Sequence, residues 1–363
     1  MIKIHTWLQS RSRLELGFVM TATLLYIFPL FAGDTSGLSK KVVGQCQAFK
    51  KKYKLRFLSL PFSAKDSFIK KLSGYVSYHL RCATLICRSD VVYYRISIHT
   101  LFLACFLMLY SRLTSKKCYV EHNADIVAEL QLLKRHKTAA IASFVLRLFK
   151  YSHCIHISMT DEIKQLLLAC GIESALNRVI QNGYFYPEFI RADVDESVIQ
   201  LAKTSLSSYQ KAAIFVGSDH PWVGLDRLLD TLSSEASLCL FVVGDYNKQA
   251  KADNVVYLGA CNYSTLTKLY ELCHFGCGPF AFDKKNMYES CTLKAREYLF
   301  HGLALFMNHK DMAESIQPLE PYVFNINTDD KALTQLMHFD YSASELKRLA
   351  NTHLSWDALL ADI

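Results

Sequence analysis

The chain is 363 residues long, 51% apolar and 20% charged, and its 41 Lys and Arg against 33 Asp and Glu leave a formal charge of +8. That length fits two domains or one large one with a sizeable core, while the apolar content, with only 14 Gly and 7 Pro, excludes disorder, a collagen and a coiled coil. Twelve Cys without a C-x-x-C pair indicate neither a zinc ribbon nor a secreted disulfide scaffold, and read as free buried thiols in a reducing cytoplasm.

The charge is unevenly divided. Met1 to Arg191 carries 27 Lys and Arg against 11 Asp and Glu, a balance of +16, whereas Ala192 to Ile363 carries 14 against 22, a balance of −8. Such a split fits two domains of which one faces an anionic surface. No helix-turn-helix, zinc-finger or RNP-like signature supports nucleic acid as that anion, so a membrane surface is the expected partner.

The first apolar run, Leu16 to Gly33, follows Lys3, Arg11 and Arg13 and has the length of a minimal membrane span. Pro29 interrupts it, and Gly33-Asp34-Thr35-Ser36-Gly37 follows at once. The segment therefore reads as a buried strand (Thr23 to Phe28), a turn, and a helix beginning near Ser36, with residues 1–19 an extension. Strands are then expected at Leu55 to Leu60, Val91 to Ile96, Cys118 to Glu121, His153 to Ser158 and Val179 to Gln181. Helices are expected between them at Ser67 to Cys87, His99 to Leu113 and Ile126 to Tyr151. A second series has strands at Ala213 to Val216, Leu238 to Val243, Val255 to Leu258, Phe275 to Pro279, Leu305 to Met307 and Val323 to Ile326. Its helices are Gly224 to Ser234, Ser264 to Cys273 and Leu293 to Phe300.

Repeated β-α order with short apolar strands implies parallel sheets covered on both faces, hence an α/β protein of two doubly wound domains. The expected division is an extension (1–19), a first Rossmann-like domain (20–191), a second (192–345) and a terminal helix (346–363). In open α/β sheets ligands sit beyond the carboxyl ends of the strands.

Three strand ends carry chemistry. Gly33-Asp34-Thr35-Ser36-Gly37 turns into a helix whose amides could meet an anion, with Gly37 at its start. Tyr119-Val120-Glu121-His122-Asn123 puts an acid, an imidazole and an amide at one strand end, with His122 as the candidate catalytic group. Glu289-Ser290-Cys291-Thr292-Leu293-Lys294-Ala295-Arg296-Glu297-Tyr298-Leu299 places Ser290 or Thr292 at a helix cap, with Gly302 as the stop signal. Lys294 falls in the first turn, where a cation is unfavourable for the helix and suggests a compensating anion such as pyrophosphate.

These residues resemble the family 4 glycosyltransferases of the GT-B fold, particularly bacterial enzymes of surface-polysaccharide assembly. Glu289 to Glu297 is similar to the family's E-x7-E pattern in the form E-x-x-P-L-K-x-x-E-Y-L, with Thr292 in place of Pro. Ile214-Phe215-Val216-Gly217-Ser218 followed by Pro221 to Leu229, then Val242-Val243-Gly244-Asp245 and Val255 to Gly259, resemble the strands and loops of the nucleotide-binding domain. Ser355-Trp356 resembles the start of the crossover helix.

The resemblance implies two Rossmann-like domains facing a cleft, and retaining transfer of a sugar from a UDP- or GDP-sugar to a lipid-linked glycan at the inner face of the cytoplasmic membrane. It places Glu289 at the donor sugar and diphosphate, Glu297 on the ribose, and Gly217 and Ser218 beside the donor, with no metal required. It also exposes a departure: the family's Arg directly after the strand Gly and the Lys a few residues later are here Ser218 and Val223. Lys294 is the expected substitute, since Arg227 falls on the helix body. A non-catalytic relative acting in an assembly complex, or a nucleotide-sugar 2-epimerase, are the alternative readings.

Overall fold

The structure, a computed structural model, describes residues 22–29, 37–58, 60, 66–185, 192–246 and 252–363. Residues 1–21 and the loop residues 33–36 fall outside these. Of the expected anion loop only Gly37 can be placed, at the exposed first position of helix Gly37–Lys50. The described part of the first apolar run is a strand. Among the described residues no helix is long and apolar enough to cross a membrane.

The chain divides into two compact units, residues 1–181 with 360–363, and residues 182–359. The expected boundary lay ten residues later, and the residues of helix Ala343–Leu354 belong to the second unit.

The first unit holds six parallel strands: β1 (Thr23–Ile27), β2 (Lys54–Leu58), β3 (Val91–Arg95), β4 (Lys117–His122), β5 (Ile155–Ser158) and β6 (Asn177–Val179). Their order is β2-β1-β3-β4-β5-β6. Because β-α-β crossovers are right-handed, the reversal at β1 sends helix Gly37–Lys50 to one face of the sheet. Helices Phe68–Cys87, Leu101–Leu113, His136–Leu148 and Asp161–Ala169 go to the other. Ser67 and Thr160 cap two of these, each accepting a backbone N–H three residues on. The helix expected over Ile126 to Tyr151 is broken. Ile126–Leu132 ends before Lys134, whose φ of 58° no helix accommodates, and His136–Leu148 begins afresh.

The second unit repeats the plan with β7 (Lys211–Val216), β8 (Leu238–Val243), β9 (Val255–Gly259), β10 (Phe275–Cys277), β12 (Ala304–Met307) and β14 (Val323–Asn325). The order is β14-β12-β10-β7-β8-β9, again parallel. A two-residue parallel ribbon, β11 (Glu289–Ser290) with β13 (Lys310–Asp311), was not expected from the sequence.

Two apolar layers flank this sheet. One packs Phe241, Leu269, Tyr298 and Leu305 against helices Tyr263–Tyr270 and Leu293–Phe300, and the other packs Phe215, Leu228, Leu240 and Phe306. The first layer is tight at Gly276 of β10, where an added Cβ would stand 2.3 Å from the Tyr298 ring. Overfilling such a contact costs about 1–3 kcal/mol. Gly276→Ala is therefore expected to lower the unfolding free energy by about that much, read as a shifted urea midpoint at unchanged slope.

Candidate functional site

In the second unit the site is built where β11 runs into helix Leu293–Phe300. Thr292 caps this helix, its Oγ1 accepting from the Ala295 amide at 3.1 Å, so the Thr that replaces Pro in the pattern has a structural use. Gly302, with φ of +78°, ends the helix as the sequence suggested.

Glu289 precedes the helix on the ribbon, partly exposed, and accepts from Lys310 Nζ at 2.8 Å. Glu297, about one turn along the helix, is buried and accepts from Lys294 Nζ at 2.9 Å and from the Tyr270 hydroxyl at 3.1 Å. The anion expected beside Lys294 is thus supplied by Glu297 of the same helix. Burial, then the Glu297 charge, holds the Tyr270 phenol well above its usual range, so it stays a donor.

Beneath the ribbon lies a buried polar network. Arg296, wholly buried, donates to Asp311 at 2.6 Å and to Cys291 Sγ at 3.3 Å. Asp311 also accepts from the Ala313 amide at 2.8 Å and from Ser290 Oγ at 3.2 Å. His309 Nε2 lies 2.6 Å from the same Ser290 Oγ. Burial opposes the Arg296 charge, but Asp311 and Cys291 overcome it and raise its pKa. Burial pulls His309 down to about 4, leaving it neutral. This network fixes Ser290, and through it the position of Glu289.

At the end of β7, Gly217 meets Gly244, whose φ is +139° and whose added Cβ would stand 2.0 Å from the Gly217 carbonyl oxygen, so the two loops close only with glycine at 244. Ser218 is exposed, whereas Val223 is buried in the core and its carbonyl accepts from the Phe280 amide at 2.7 Å. Arg227 is bonded to Asp283 at 2.7 Å. Two cations that sequence reading missed lie in this unit. Lys310 pairs with Glu289, and Lys285 places Nζ 4.2 Å from the Trp222 ring centroid.

The first unit gathers the other expected site. His122 ends β4 but is buried, its Nε2 2.9 Å from His156 Nδ1, and burial lowers its pKa to about 4. Beside it Glu121 is wholly buried. Burial would raise its pKa, but Lys41 at 2.9 Å and Arg95 at 3.6 Å, with the Tyr93 hydroxyl, bring it from 4.5 to about 2. Lys41 also donates to Asn123, and Gln45 donates to Glu121 at 2.6 Å. Lys41 sits in a Lys-Lys pair that gives no hint of burial, so the sequence signal for this cluster was confined to the Glu121-His122-Asn123 strand end. Among the described residues, no group of three or more His, Cys, Asp or Glu side chains could hold a metal ion.

No family model matches the chain, and no curated protein sequence matches it. Solved structures do. A complex of Anabaena HepE (Alr3699) with UDP and glucose superposes with a TM-score of 0.56 at 11% identity, over 93% of this chain and 97% of that one. Sucrose-phosphate synthase from Thermosynechococcus elongatus gives 0.60 at 11% over 93% and 96%. WaaG, a glycosyltransferase involved in lipopolysaccharide biosynthesis, gives 0.55 at 15% over 93% and 98%.

The fold is GT-B. The two sheets described above are its Rossmann-like pair, and the E-x7-E helix lies in the second GT-B unit.

The Glu121 cluster makes stability pH-dependent with a defined sign. His122, depressed from 6.5 to about 4, costs stability as pH falls across that range, because the unfolded chain takes up a proton that the folded chain refuses. Glu121, depressed from 4.5 to about 2, contributes stability above 4.5 that is lost as pH falls towards 2. Lys41→Met leaves the buried carboxylate without its main partner. It is expected to lower the unfolding free energy by about 3–5 kcal/mol at neutral pH, and denaturant titrations should show that gap narrowing below pH 4.5.

Proposed function

We propose that the chain is a retaining glycosyltransferase that moves a sugar from a nucleotide-diphosphate sugar to a glycan acceptor carried on a lipid. The observation that carries this reading is the pair of carboxylates at the helix Leu293–Phe300, each held by its own ammonium: Glu289 with Lys310, and Glu297 with Lys294. Glu297, buried against Tyr270, is suited to accept from a ribose hydroxyl, and Glu289, partly exposed, to contact the donor sugar. HepE, seen with UDP and with UDP-glucose, has the same fold, which supports a nucleotide-sugar as the donor.

As the glycosidic C–O bond breaks, positive charge develops on the sugar and negative charge on the leaving β-phosphate. Fixed donors aimed at that phosphate lower the barrier. Where the family has a Lys, Val223 packs into the core and offers no cation. Lys294 and Lys310 supply the two cations instead, shared with their carboxylates in the free protein and turned to the phosphates when donor binds. His122 is buried against His156, while the Asn123 side chain beside it is held by Lys41 and Glu121. The acceptor and the membrane are assigned to the basic first half.

The buried Val223 also favours a second reading, a non-catalytic relative whose donor loop has lost its purpose. Enzyme assays separate the two. Glu289→Gln is expected to lower kcat for nucleotide release by about 100- to 1000-fold with the unfolding midpoint unchanged, and turnover equal to the parent would remove Glu289 from the site. Lys294→Ala and Lys310→Ala should each weaken the nucleoside diphosphate about tenfold or more while sparing the nucleoside. Equal losses for both ligands would refute their phosphate role.

A further inference from the structure

The first unit presents an apolar face that its own fold does not cover. Helix Phe68–Cys87 has two apolar stripes. Gly74, Tyr78, Cys82 and Ile86 face the sheet, and Phe68, Leu72, Val76 and Leu80, also spaced by four, fall on the opposite side. These last four and Ile69 are 54–78% exposed. The next helix on the same sheet face, Leu101–Leu113, buries Leu103, Leu107 and Met108 and exposes Phe102, Leu109 and Leu113. The third, His136–Leu148, buries Ala142 and Val145 and exposes Ile141 and Phe144.

The three helices are neighbours. The Tyr75 hydroxyl lies 3.2 Å from His99 Nδ1 at the start of the second, and the His79 ring meets Phe102 at 6.4 Å. Ten large apolar side chains exposed on three adjoining helices are more than scattered surface residues and mark an interaction face.

Charge says what the partner is. The three helices contain Lys70, Lys71, Arg81, Arg112, Lys137 and Arg147 and not one Asp or Glu. Asp66, just before the first helix, is paired with Lys70 at 2.8 Å. A second copy of this face would set cation against cation. An anionic bilayer answers both features at once: acyl chains take up the apolar side chains, and headgroups meet the cations.

We propose that helices Phe68–Cys87, Leu101–Leu113 and His136–Leu148 form the face that lies in the surface of an anionic membrane. The proposal deepens the assignment of a lipid-borne acceptor and rests on that reading for its biological sense, but it is tested separately.

The test is flotation of the full chain with vesicles of equal parts phosphatidylglycerol and phosphatidylcholine, and with phosphatidylcholine alone. The parent protein is expected to float with the first and not the second. Phe68→Ser/Leu72→Ser/Phe102→Ser, changed only at exposed positions, and Lys70→Glu/Lys71→Glu should each reduce the bound fraction about tenfold or more, with circular dichroism unchanged. Failure of the parent to float, or flotation of the triple variant equal to the parent, would overturn the proposal. So would a dimer of the parent in sedimentation that the triple variant abolishes, since the face would then belong to a second copy. Nucleotide-sugar binding by the same proteins keeps the two readings apart: flotation lost with binding intact concerns the face alone, and flotation without donor binding concerns the transferase alone.

Discussion

The arrangement of the second unit's site depends on one buried ion pair, Arg296 with Asp311 at 2.6 Å. Both side chains are fully buried, so neither charge could remain without the other. Among the described residues Arg296 Nε and Nη1 have no hydrogen-bond partner, which leaves Asp311 as the main compensation for burying the guanidinium. The pair ties the interior of helix Leu293–Phe300 to β13, and Asp311 in turn holds Ser290 of β11. A ribbon only two residues long on each side would not persist in water by itself. Anchored in this way, it presents Glu289 and Lys310 side by side at the N-terminal end of the helix, while Glu297 stays buried within the helix. The position of Glu289 is thus set by a network buried beneath the ribbon.

The first unit solves a similar problem with opposite emphasis. There the buried charge at the strand end is Glu121, neutralised by Lys41 and Arg95 and bonded to Tyr93 and Gln45. The result is a closely bonded cluster around Glu121 beside a neutral His122–His156 pair, with Arg95 Nη1 and His156 Nε2 left as buried atoms that lack a hydrogen-bond partner among the described residues. The second unit leaves the ammonium groups of Lys294 and Lys310 partly exposed.

Much of the fold was legible because short apolar strands and capped amphipathic helices carry local patterns. Ser67, Thr292 and Gly302 mark helix ends in the sequence and do so in the structure. The break at Lys134 had no such mark, because the left-handed residue that ends the helix, usually a Gly or Asn, is here an exposed Lys. At the site, the E-x7-E spacing is visible within a single helix, whereas its support is not. Asp311 and His309 stand 15 and 19 residues from their partners Arg296 and Ser290, and nothing local links them. His122 was singled out as a polar group at a strand end, but its burial against His156, 34 residues away, emerges only from the parallel pairing of β4 and β5. The charge asymmetry was plain from counting. What counting could not show is that the cations of three helices stand on the same elements as a row of exposed apolar side chains, because either stripe of helix Phe68–Cys87 could have been the buried one.

The central claim is that the second unit holds a nucleotide-sugar through the carboxylates and ammonium groups of the E-x7-E helix and its ribbon. Calorimetric titration of the folded chain with a set of UDP-, GDP- and TDP-sugars tests it most directly. The account predicts saturable one-to-one binding of at least one of them, with the matching nucleoside diphosphate binding more tightly than the nucleoside. A folded protein that binds none of them would contradict it.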